Sequence, residues 1–309
     1  MTEFAVSVVG EIYVDHVMSG FPAFPAPGIE VVTDNYTREI GGGAAITACG
    51  LGRLGRAVNL IGVVGEDDAA WIERRLATCG VSAAGLVRGS GATGVSLSVS
   101  TREDRSFFTH AGVNRQLPAR LLDDAIIAKL TRTEHVHFAM PLDRAVAARI
   151  LPTLHAAGCT TSLDVGYQPH WLRSADNHLT CQTVDYLMPN ESEAALLCGS
   201  ESPEDYLAFA RRLEMPSALV KLGARGALYA EDGEDLGVMP PRVDAVDSTG
   251  SGDAFDAGFI DALLAGADMR HRLRCACICG ALSTRAPGAI AGLPRATELR
   301  EVYEQTYGP

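Results

Sequence analysis

The sequence predicts an α/β fold in which helices cover a mainly parallel central sheet, within a chain of 309 residues. Apolar runs typical of buried strands alternate with segments of helical spacing from residue 117 to residue 221, the pattern of βαβ units. The chain also begins with a short apolar run, residues 4–9, which is typical of a first buried strand. These two observations favour one α/β architecture over an all-α or all-β fold.

The first hundred or so residues are expected to supply strands, two helices and a hairpin. In the hairpin, residues 95, 97 and 99 are apolar and residues 96, 98 and 100 are serines, so one face is apolar and the other polar. Such a sheet covers another part of the protein and does not form a central layer. The expected elements are a strand at 4–9, a loop with an irregular strand at 31–33, a helix at 44–54, a strand at 58–64, a helix at 66–78 and the hairpin at 94–110 with a charged turn at 102–105.

The rest of the chain alternates more regularly. Helices are expected at 117–130, 142–157, 191–197, 205–213, 253–265 and 271–284 and from 296 onward. Strands are expected at 135–140, 160–165, 186–188 and 218–221, with short antiparallel strands in 226–246 around Asp232-Gly233 and strand character over 238–246.

Composition excludes several classes of function. The net charge of −12 argues against a general nucleic-acid binder, which needs a basic face, and against binding to an anionic membrane surface. No apolar run has the length of a membrane span, and the N-terminus lacks the basic region of a signal peptide. The eight cysteines form no CxxC pair, so we interpret them as reduced core residues of a cytoplasmic protein, with metal binding as the disfavoured alternative.

The most informative stretch is a glycine-rich turn at residues 246–255, VDSTGSGDAF, which leads into a segment of helical spacing. Gly250 and Gly252 carry no Cβ, so the backbone around Ser251 can approach a ligand closely. The first amides of a helix have no partner within it, and together with the helix dipole they bind anions. The turn is therefore predicted to hold an anionic group such as phosphate.

Asp253 places a carboxylate in the first turn of that helix, beside the predicted anion site. One interpretation is that aspartate simply favours a helix N-terminus. The other is a general base, which accepts the proton of a substrate hydroxyl while the amides hold a transferring phosphoryl group. The position next to the anion site favours the second interpretation.

Two features near the N-terminus point to a binding site. Gly41-Gly42-Gly43 precede a helix of small residues, and glycines in that position let a substrate lie against the backbone. Asp15 follows the first strand, and open α/β sheets bind ligands at the carboxyl ends of their strands. Asp15 is therefore either a ligand-binding carboxylate or a solvated turn residue.

A GxGxxG spelling at Gly50, Gly52 and Gly55 does not indicate a dinucleotide site. That motif must follow a strand and begin a helix, whereas this one ends the helix at 44–54 and precedes a strand. Tight packing and a helix stop explain it better, which disfavours a nicotinamide oxidoreductase. The P-loop signature GxxxxGK[ST] is absent as well, because neither Lys129 nor Lys221 follows such a glycine.

Together these stretches resemble the ribokinase-like (PfkB) family of sugar and nucleoside kinases over nearly the whole chain. The most specific match is residues 247–253, DSTGSGD, which resemble the family signature DTxGAGD. Supporting matches are Gly41-Gly42 with Arg53-Leu54-Gly55, Asn190 with Glu193, Lys221-Leu222-Gly223 with Gly226, and Pro287-Gly288-Ala289. The resemblance implies a single domain over 1–309, a three-layer α/β/α sandwich with a small β-sheet lid from about 12–40 and 93–112.

The resemblance also implies a role for each matching residue. Asp253 would be the base, with Gly250, Ser251 and Gly252 as the anion hole and Asp15, Gly41 and Gly42 holding the hydroxyls of the acceptor. Around ATP, Asn190 and Glu193 would arrange Mg²⁺ and its waters, and Lys221, Gly223 and Gly226 would lie near the nucleotide. Asp247 and Thr249 match residues that coordinate a monovalent cation, K⁺, in some members.

The acceptor pocket departs from the family pattern. Ile46 stands where many sugar kinases have asparagine. Residues 163–171 resemble the D-x-N-x-R-P-x-x-W stretch of fructokinases and ketodeoxygluconate kinases, but Gly166 replaces the asparagine and Gln168 the arginine. Because arginine binds carboxylates with two parallel hydrogen bonds, its loss argues against a sugar acid as the acceptor.

The sequence therefore predicts an ATP- and Mg²⁺-dependent kinase that phosphorylates a hydroxyl of a sugar or sugar-like molecule. The alternatives are a nucleoside kinase of the same family, suggested by Ile46, and a catalytically silent member that only binds its ligand. A lid sheet with an apolar face also suggests a homodimer that pairs through the lid.

Overall fold

The structure, a computed structural model, describes residues 3–101, 105–230 and 235–308. Its strands are β1 (Phe4–Gly10), β2 (Tyr13–Phe21), β3 (Asn35–Gly41), β4 (Val58–Gly65), β5 (Val81–Ser82), β6 (Leu86–Gly89), β7 (Gly94–Thr101), β8 (Arg105–His110), β9 (Thr133–Ala139), β10 (Thr160–Leu163), β11 (Tyr186–Leu187), β12 (Leu219–Lys221), β13 (Ala227–Ala230) and β14 (Asp235–Val238).

The α-helices are α1 (Gly43–Arg53), α2 (Glu66–Thr78), α3 (Leu117–Arg120), α4 (Asp124–Leu130), α5 (Arg144–Ala156), α6 (Pro169–Leu172), α7 (His178–Thr183), α8 (Glu191–Cys198), α9 (Pro203–Arg212), α10 (Ser251–Leu264), α11 (Met269–Ser283) and α12 (Ala296–Tyr307). Short 3-10 helices lie at Gly112–Gln116, Ala175–Asn177 and Gly223–Arg225.

The central sheet has the strand order β11-β10-β9-β1-β4-β5, with β6 paired to the second half of β4, and all of these pairs are parallel. An antiparallel sheet, β12-β13-β14, joins it through a bridge between Asn190 and Lys221. Neighbouring residues of β1 face opposite layers, since Val8 packs with α1, α2 and α10 and Val9 with α5, α8 and α9. The predicted three-layer α/β/α sandwich is confirmed.

A second sheet of order β3-β2-β7-β8 forms the lid sheet, and its middle pair, β2 and β7, is parallel. Only Glu11 and Ile12 separate β2 from β1, and the side chain of Asn114 fixes this link by hydrogen bonds to the backbone N (3.0 Å) and O (2.9 Å) of Ile12. Asp15 thus lies inside β2, opposite Glu39 of β3, so its interpretation as a turn residue was wrong.

Other predicted boundaries also need correction. Residues 31–33 form no strand, and Val32 is 84% exposed; the strand lies at 35–41. The expected helix at 117–130 is broken at 121–123, because Asp123 has an extended backbone and begins a separate helix, α4. Strand structure ends at Val238, since the prolines at 240 and 241 have no N–H to continue the ladder. The short elements β5, β6, α6 and α7 were not predicted.

Several other predictions are confirmed. Gly50, Gly52 and Gly55 lie at the end of α1 and in the turn after it, not between a strand and a helix. Within the described ranges, no helix is long and apolar enough to cross a membrane. Residues 102–104 of the predicted charged turn, and the predicted turn at Asp232-Gly233, lie outside the described residues.

Candidate active site

Three consecutive glycines, residues 41–43, connect the lid sheet to α1, and another part of the chain approaches each of them closely. A Cβ on the first would lie 2.0 Å from Oδ2 of Asp15, and one on the second would lie 2.3 Å from the carbonyl oxygen of Glu11. A Cβ on the third would lie 2.7 Å from Oδ1 of Asp253. The glycines therefore bring a lid carboxylate and the predicted base to one short turn, with Asp15 partly exposed beside it.

Asp253 lies in the first turn of α10, as predicted. Burial, together with the negative charge of Asp164, raises the pKa of Asp253 to about 7. Its side chain remains partly exposed. A partly exposed carboxylate whose pKa lies near neutral pH has the properties of a general base.

The turn before α10 lies where the sequence placed it, and its role as an anion site stays a prediction. The backbone N of Ser251 donates to the carbonyl of Ser248 (3.2 Å). Gly250 is the N-cap residue, with a left-handed φ of 76°, and a Cβ on it would lie 2.7 Å from Cβ of Ala289. For Gly252, a Cβ would meet Nζ of Lys221 at 3.5 Å and no other atom within 4 Å among the described residues, its chain neighbours and the backbone of its own helix left aside. Packing therefore explains the glycine at 250, whereas at 252 it leaves space that a ligand can use.

A buried ion cluster lies behind Asp253. Nζ of Lys221 lies 2.6 Å from Oδ2 of Asp164 and 3.1 Å from Oδ1 of Asp256. Although burial opposes ionisation, the Lys221 ammonium lowers the pKa of Asp164 to about 2. Burial raises the pKa of Asp256 well above its usual range. The cluster thus holds the Lys221 ammonium against two carboxyl groups, Asp164 with a lowered pKa and Asp256 with a raised pKa.

The other predicted nucleotide residues lie in and after β12. The Lys221 side chain points into the cluster, and its backbone N–H donates to the carbonyl of Pro189 (2.9 Å). Gly223 and Gly226 flank the turn that follows β12, and a Cβ on Gly226 would lie 1.8 Å from the carbonyl oxygen of Val238. Their role near the nucleotide stays a prediction.

Asn190 and Glu193 form a capping box at the start of α8. Oδ1 of Asn190 accepts from the backbone N of Glu193 (3.0 Å), and Oε2 of Glu193 accepts from the backbone N of Asn190 (2.9 Å). Burial and the charge of Asp164 raise the pKa of Glu193 to about 7. A capping box alone explains the spacing of these residues, but a buried acid with a raised pKa also suits a nearby cation.

Asp247 and Thr249 lie in the loop that precedes α10. Oδ1 of Asp247 accepts from the backbone N of Thr249 (2.8 Å), and Oδ2 accepts from the backbone N of Gly288 (3.0 Å). The Asp247 carboxylate thereby ties this loop to the turn after α11. The predicted binding of K⁺ by Asp247 and Thr249 stays a prediction.

The residues that depart from the family pattern have identifiable surroundings. Ile46 is 4% exposed, and its Cγ2 lies 3.1 Å from where a Cβ on Gly250 would be. Gly166, with φ of 66°, donates from its backbone N to Oδ1 of Asp164 (2.8 Å). Gln168 is exposed at the start of α6. Ile46 therefore presents an apolar side chain beside the anion turn.

Comparison with known proteins agrees with this geometry, since the family model for "pfkB family carbohydrate kinase" matches residues 5–296. The chain belongs to the pfkB family of carbohydrate kinases. These enzymes are ATP-dependent phosphotransferases that act on an alcohol group.

Individual pfkB relatives cover most of the chain. An ATP-dependent ribose-1-phosphate kinase of Halopiger xanaduensis is 33% identical over 263 residues, 82% of this chain and 83% of the relative. A ribokinase of Haemophilus influenzae is 25% identical, over 97% and 98% of the two chains. A solved E. coli structure described as a ribokinase II in complex with ATP and Mg²⁺ has a TM-score of 0.83 and 27% identity, covering 98% of this chain and 100% of that one.

Sequence reasoning missed two acidic residues of this pfkB kinase. Asp164 occurs in the stretch compared with fructokinases but was not selected as a site residue, and Asp256 was not considered. One signal for Asp256 was available, because it lies one helical turn after Asp253 on the same helix. For Asp164 the available signal was its place just past the end of β10.

Proposed function

We propose that this kinase transfers the γ-phosphoryl group of ATP to a hydroxyl of a sugar or sugar-like molecule, with Asp253 as the general base. The observation that carries the proposal is the glycine turn at 41–43, which lies in contact distance of both the Asp15 and the Asp253 carboxylates. An acceptor held by Asp15 in this turn would present a hydroxyl to Asp253. The anion turn at the start of α10 lies directly beside it.

The chemistry follows from these positions. Asp253 accepts the proton of the acceptor hydroxyl while the oxygen of that hydroxyl forms a bond to the γ-phosphorus of ATP. At the same time the bond between the γ-phosphorus and the β–γ bridging oxygen breaks, and ADP leaves. The turn at Gly250, Ser251 and Gly252 would hold the transferring group at the positive end of α10. Because the backbone N of Ser251 donates to the carbonyl of Ser248 (3.2 Å), the hydrogen bonds would come from the amides of Gly250 and Gly252. The lid sheet would close over the cleft and keep water from competing as acceptor.

The residues present fit Mg²⁺ as the partner of ATP. Glu193 and Asn190 supply the oxygen atoms that magnesium and its waters prefer, and a nearby divalent cation would keep Glu193 ionised despite its raised pKa. When bound, Mg²⁺ neutralises charge on the β- and γ-phosphates. Asp247 and Thr249 would hold a K⁺ ion if this kinase shares that property of some members.

The acceptor is a sugar or a nucleoside. The names of the relatives, a ribose-1-phosphate kinase and a ribokinase, favour a ribose-like acceptor. The alternative, a nucleoside, is suggested by the absence at Ile46, a buried residue, of the amide that many sugar kinases have there. A panel of sugars and nucleosides, read by ADP release, decides between them.

Self-association through the lid stays part of the proposal. Phe24, Phe107 and Phe108 on the lid are each more than half exposed, at 53%, 54% and 54%. The rings of Phe24 and Phe108 lie 6.2 Å apart, so they form one apolar patch. A second copy of the lid is the partner that would cover it.

The test of the base is Asp253→Asn. The amide keeps the shape of the protonated acid but cannot accept the proton, so kcat should fall by about 10²–10⁴-fold or more while nucleotide still binds. The measurement is ADP release with the acceptor that the panel identifies, alongside calorimetric titration with ATP.

Asp261→Asn is the matched control, because Asp261 lies on the same helix but pairs with Arg56, away from the site. It should keep kcat near that of the wild type. Near-normal turnover of Asp253→Asn would contradict the assigned role. Failure of every acceptor to turn over, despite tight binding, would instead support a silent ligand-binding member.

A further inference from the structure

One edge of the lid sheet is tied to α2 by two ion pairs. Nε of Arg75 donates to Oε1 of Glu39 (2.8 Å), and Nη2 of Arg75 donates to Oε2 of the same carboxylate. Nη2 of Arg38 donates to Oδ1 of Asp68 (2.5 Å), and the Arg38 guanidinium carbon lies 4.1 Å from the ring centroid of Trp71. Because residues 68, 71 and 75 share one face of α2, this face covers the edge strand β3.

The two ion pairs are alike in exposure but differ in what lies beside them. The side chains of Arg75 and Arg38 are each 36% exposed, and those of Glu39 and Asp68 are 20% and 23% exposed. Glu39, however, lies directly opposite Asp15 in the antiparallel pairing of β2 with β3. Directly opposite residues project from the same face, with their Cβ atoms about 5 Å apart. Glu39 therefore brings a second carboxylate beside Asp15.

The Asp15 carboxylate lies between Glu39 and the glycine turn. Its Oδ2 would be 2.0 Å from a Cβ on Gly41, and its neighbour on β7 is the uncharged Ser96. Burial, together with the negative charge of Glu39, raises the pKa of Asp15 to about 6. Two carboxylates at this separation repel each other, and the positive charge of Arg75 on Glu39 offsets that repulsion.

Several elements contribute charged or titratable groups around Asp15. These groups are Glu39 of β3, Arg75 of α2, Tyr13 of β2, Glu11 before β2 and Asp253 of α10, across the glycine turn. The thiols of Cys49 and Cys79 lie near Arg75. Of the charges, that of Glu39 acts on Asp15 most strongly, because Glu39 is directly opposite.

We propose that Arg75 is a positioning residue for the acceptor, which acts through Glu39 to keep the Asp15 carboxylate charged at the glycine turn. The inference rests on the proposed role of Asp15 in holding the hydroxyls of the acceptor. A charged carboxylate accepts hydrogen bonds on both of its oxygens, and these bonds are stronger than those to a neutral acid. The acceptor should therefore bind more weakly at a pH where Asp15 is protonated.

The first test follows the titration of Asp15 directly and needs neither an acceptor nor turnover. In protein labelled with ¹³C at the aspartate carboxyl carbons, the Asp15 signal is the one missing from the spectrum of Asp15→Asn. Its midpoint in the wild type is expected near pH 6. Arg75→Met leaves the Glu39 charge without its partner and should raise the midpoint by about 0.5–1 pH unit. Glu39→Gln removes the repelling charge and should lower the midpoint by a similar amount.

The direction of these shifts distinguishes an electrostatic role from a structural one. Either substitution breaks the ion pair, so a pair that only fastened the lid would move the midpoint in the same direction in both variants. In Arg75→Met/Glu39→Gln both charges are gone, and the midpoint should return close to that of the wild type.

Arg38→Met is the matched control, because it breaks the other ion pair between β3 and α2 and should leave the midpoint of Asp15 in place. Shifts in one direction for Arg75→Met and Glu39→Gln overturn the proposal. A shift for Arg38→Met equal to that for Arg75→Met overturns it as well.

The second test measures acceptor binding by calorimetry, with D-ribose and inosine as probes for the two acceptor classes. At pH 6 the dissociation constant should rise by about twofold to fivefold in Arg75→Met and fall slightly in Glu39→Gln, while that of ATP stays the same. A probe that binds with unchanged affinity although the midpoint has moved overturns the positioning role. If the midpoints move as expected but no acceptor is phosphorylated, the proposed function fails and the effect of Arg75 on Asp15 stands.

Discussion

Two turns next to Asp253, at 41–43 and at 250–252, contain glycines, but the reasons for glycine differ between them. In the first turn, a Cβ at any of the three positions would meet an atom of the protein at 2.0 to 2.7 Å. In the second, a Cβ on Gly252 would meet no described atom outside its own helix nearer than Nζ of Lys221, at 3.5 Å. The protein therefore fills the space around the first turn itself and leaves space beside part of the second.

This difference separates two uses of glycine in one site. At 41–43 the missing side chains let Asp15, Glu11 and Asp253 converge, so a substitution there displaces groups for which we propose a binding or catalytic role. At Gly252 the missing side chain leaves room for a ligand, so a substitution there should affect transfer without affecting the fold. Stability and activity measured together distinguish these effects.

Gly43→Ala should have the largest effect. Its Cβ would lie 2.7 Å from Oδ1 of Asp253, so the proposed base must move. A displacement of about 1 Å of a catalytic group costs about 100-fold in rate, and we expect a loss of that order in kcat with the thermal midpoint little changed. Steady-state kinetics together with a thermal melting curve test this prediction. An unchanged kcat would mean that Asp253 is not the general base.

Gly41→Ala should have a smaller effect, mainly on the acceptor. Its Cβ would lie 2.0 Å from Oδ2 of Asp15, which is the end of a side chain that can rotate away. Loss of a hydrogen bond from a charged group predicts an increase of about tenfold in the KM for the acceptor. The KM for ATP should not change, which serves as an internal control. An equal rise in both would place Asp15 outside the acceptor site.

The parts of this site that could be predicted from the sequence are those with local signals. Helix α10 was expected at about 253 and begins at Ser251, because its glycines, its acid and its apolar spacing lie within a few residues of one another. The glycines at 41–43 were identified in the same way, from a small-residue helix directly after them. The family resemblance then supplied roles for residues whose local pattern was ambiguous.

The buried cluster could not be predicted in that way. Lys221 is separated by 57 residues from Asp164 and by 35 from Asp256, and only the packing of β10, β12 and α10 brings them together. Lys221 was expected at the nucleotide because the motif covers its turn, whereas the direction of its side chain depends on these distant carboxylates.

Gly252→Ala, compared with Gly258→Ala, should give the smallest effect on kcat and the clearest division between the two uses of glycine. At 252 the added methyl should preserve or slightly raise stability, because alanine is favoured over glycine in helices by about 0.5–1 kcal/mol. We expect kcat to fall by about threefold to tenfold, because the methyl crowds the phosphoryl group.

Gly258→Ala is the control. At 258 a Cβ would lie 2.7 Å from the carbonyl oxygen of Cys275, so the free energy of unfolding should fall by about 1–3 kcal/mol. The kcat per folded molecule should stay the same. Denaturant melts and kinetics on both variants test this. A stability loss at 252 equal to that at 258 would mean that packing, not a ligand, requires glycine there.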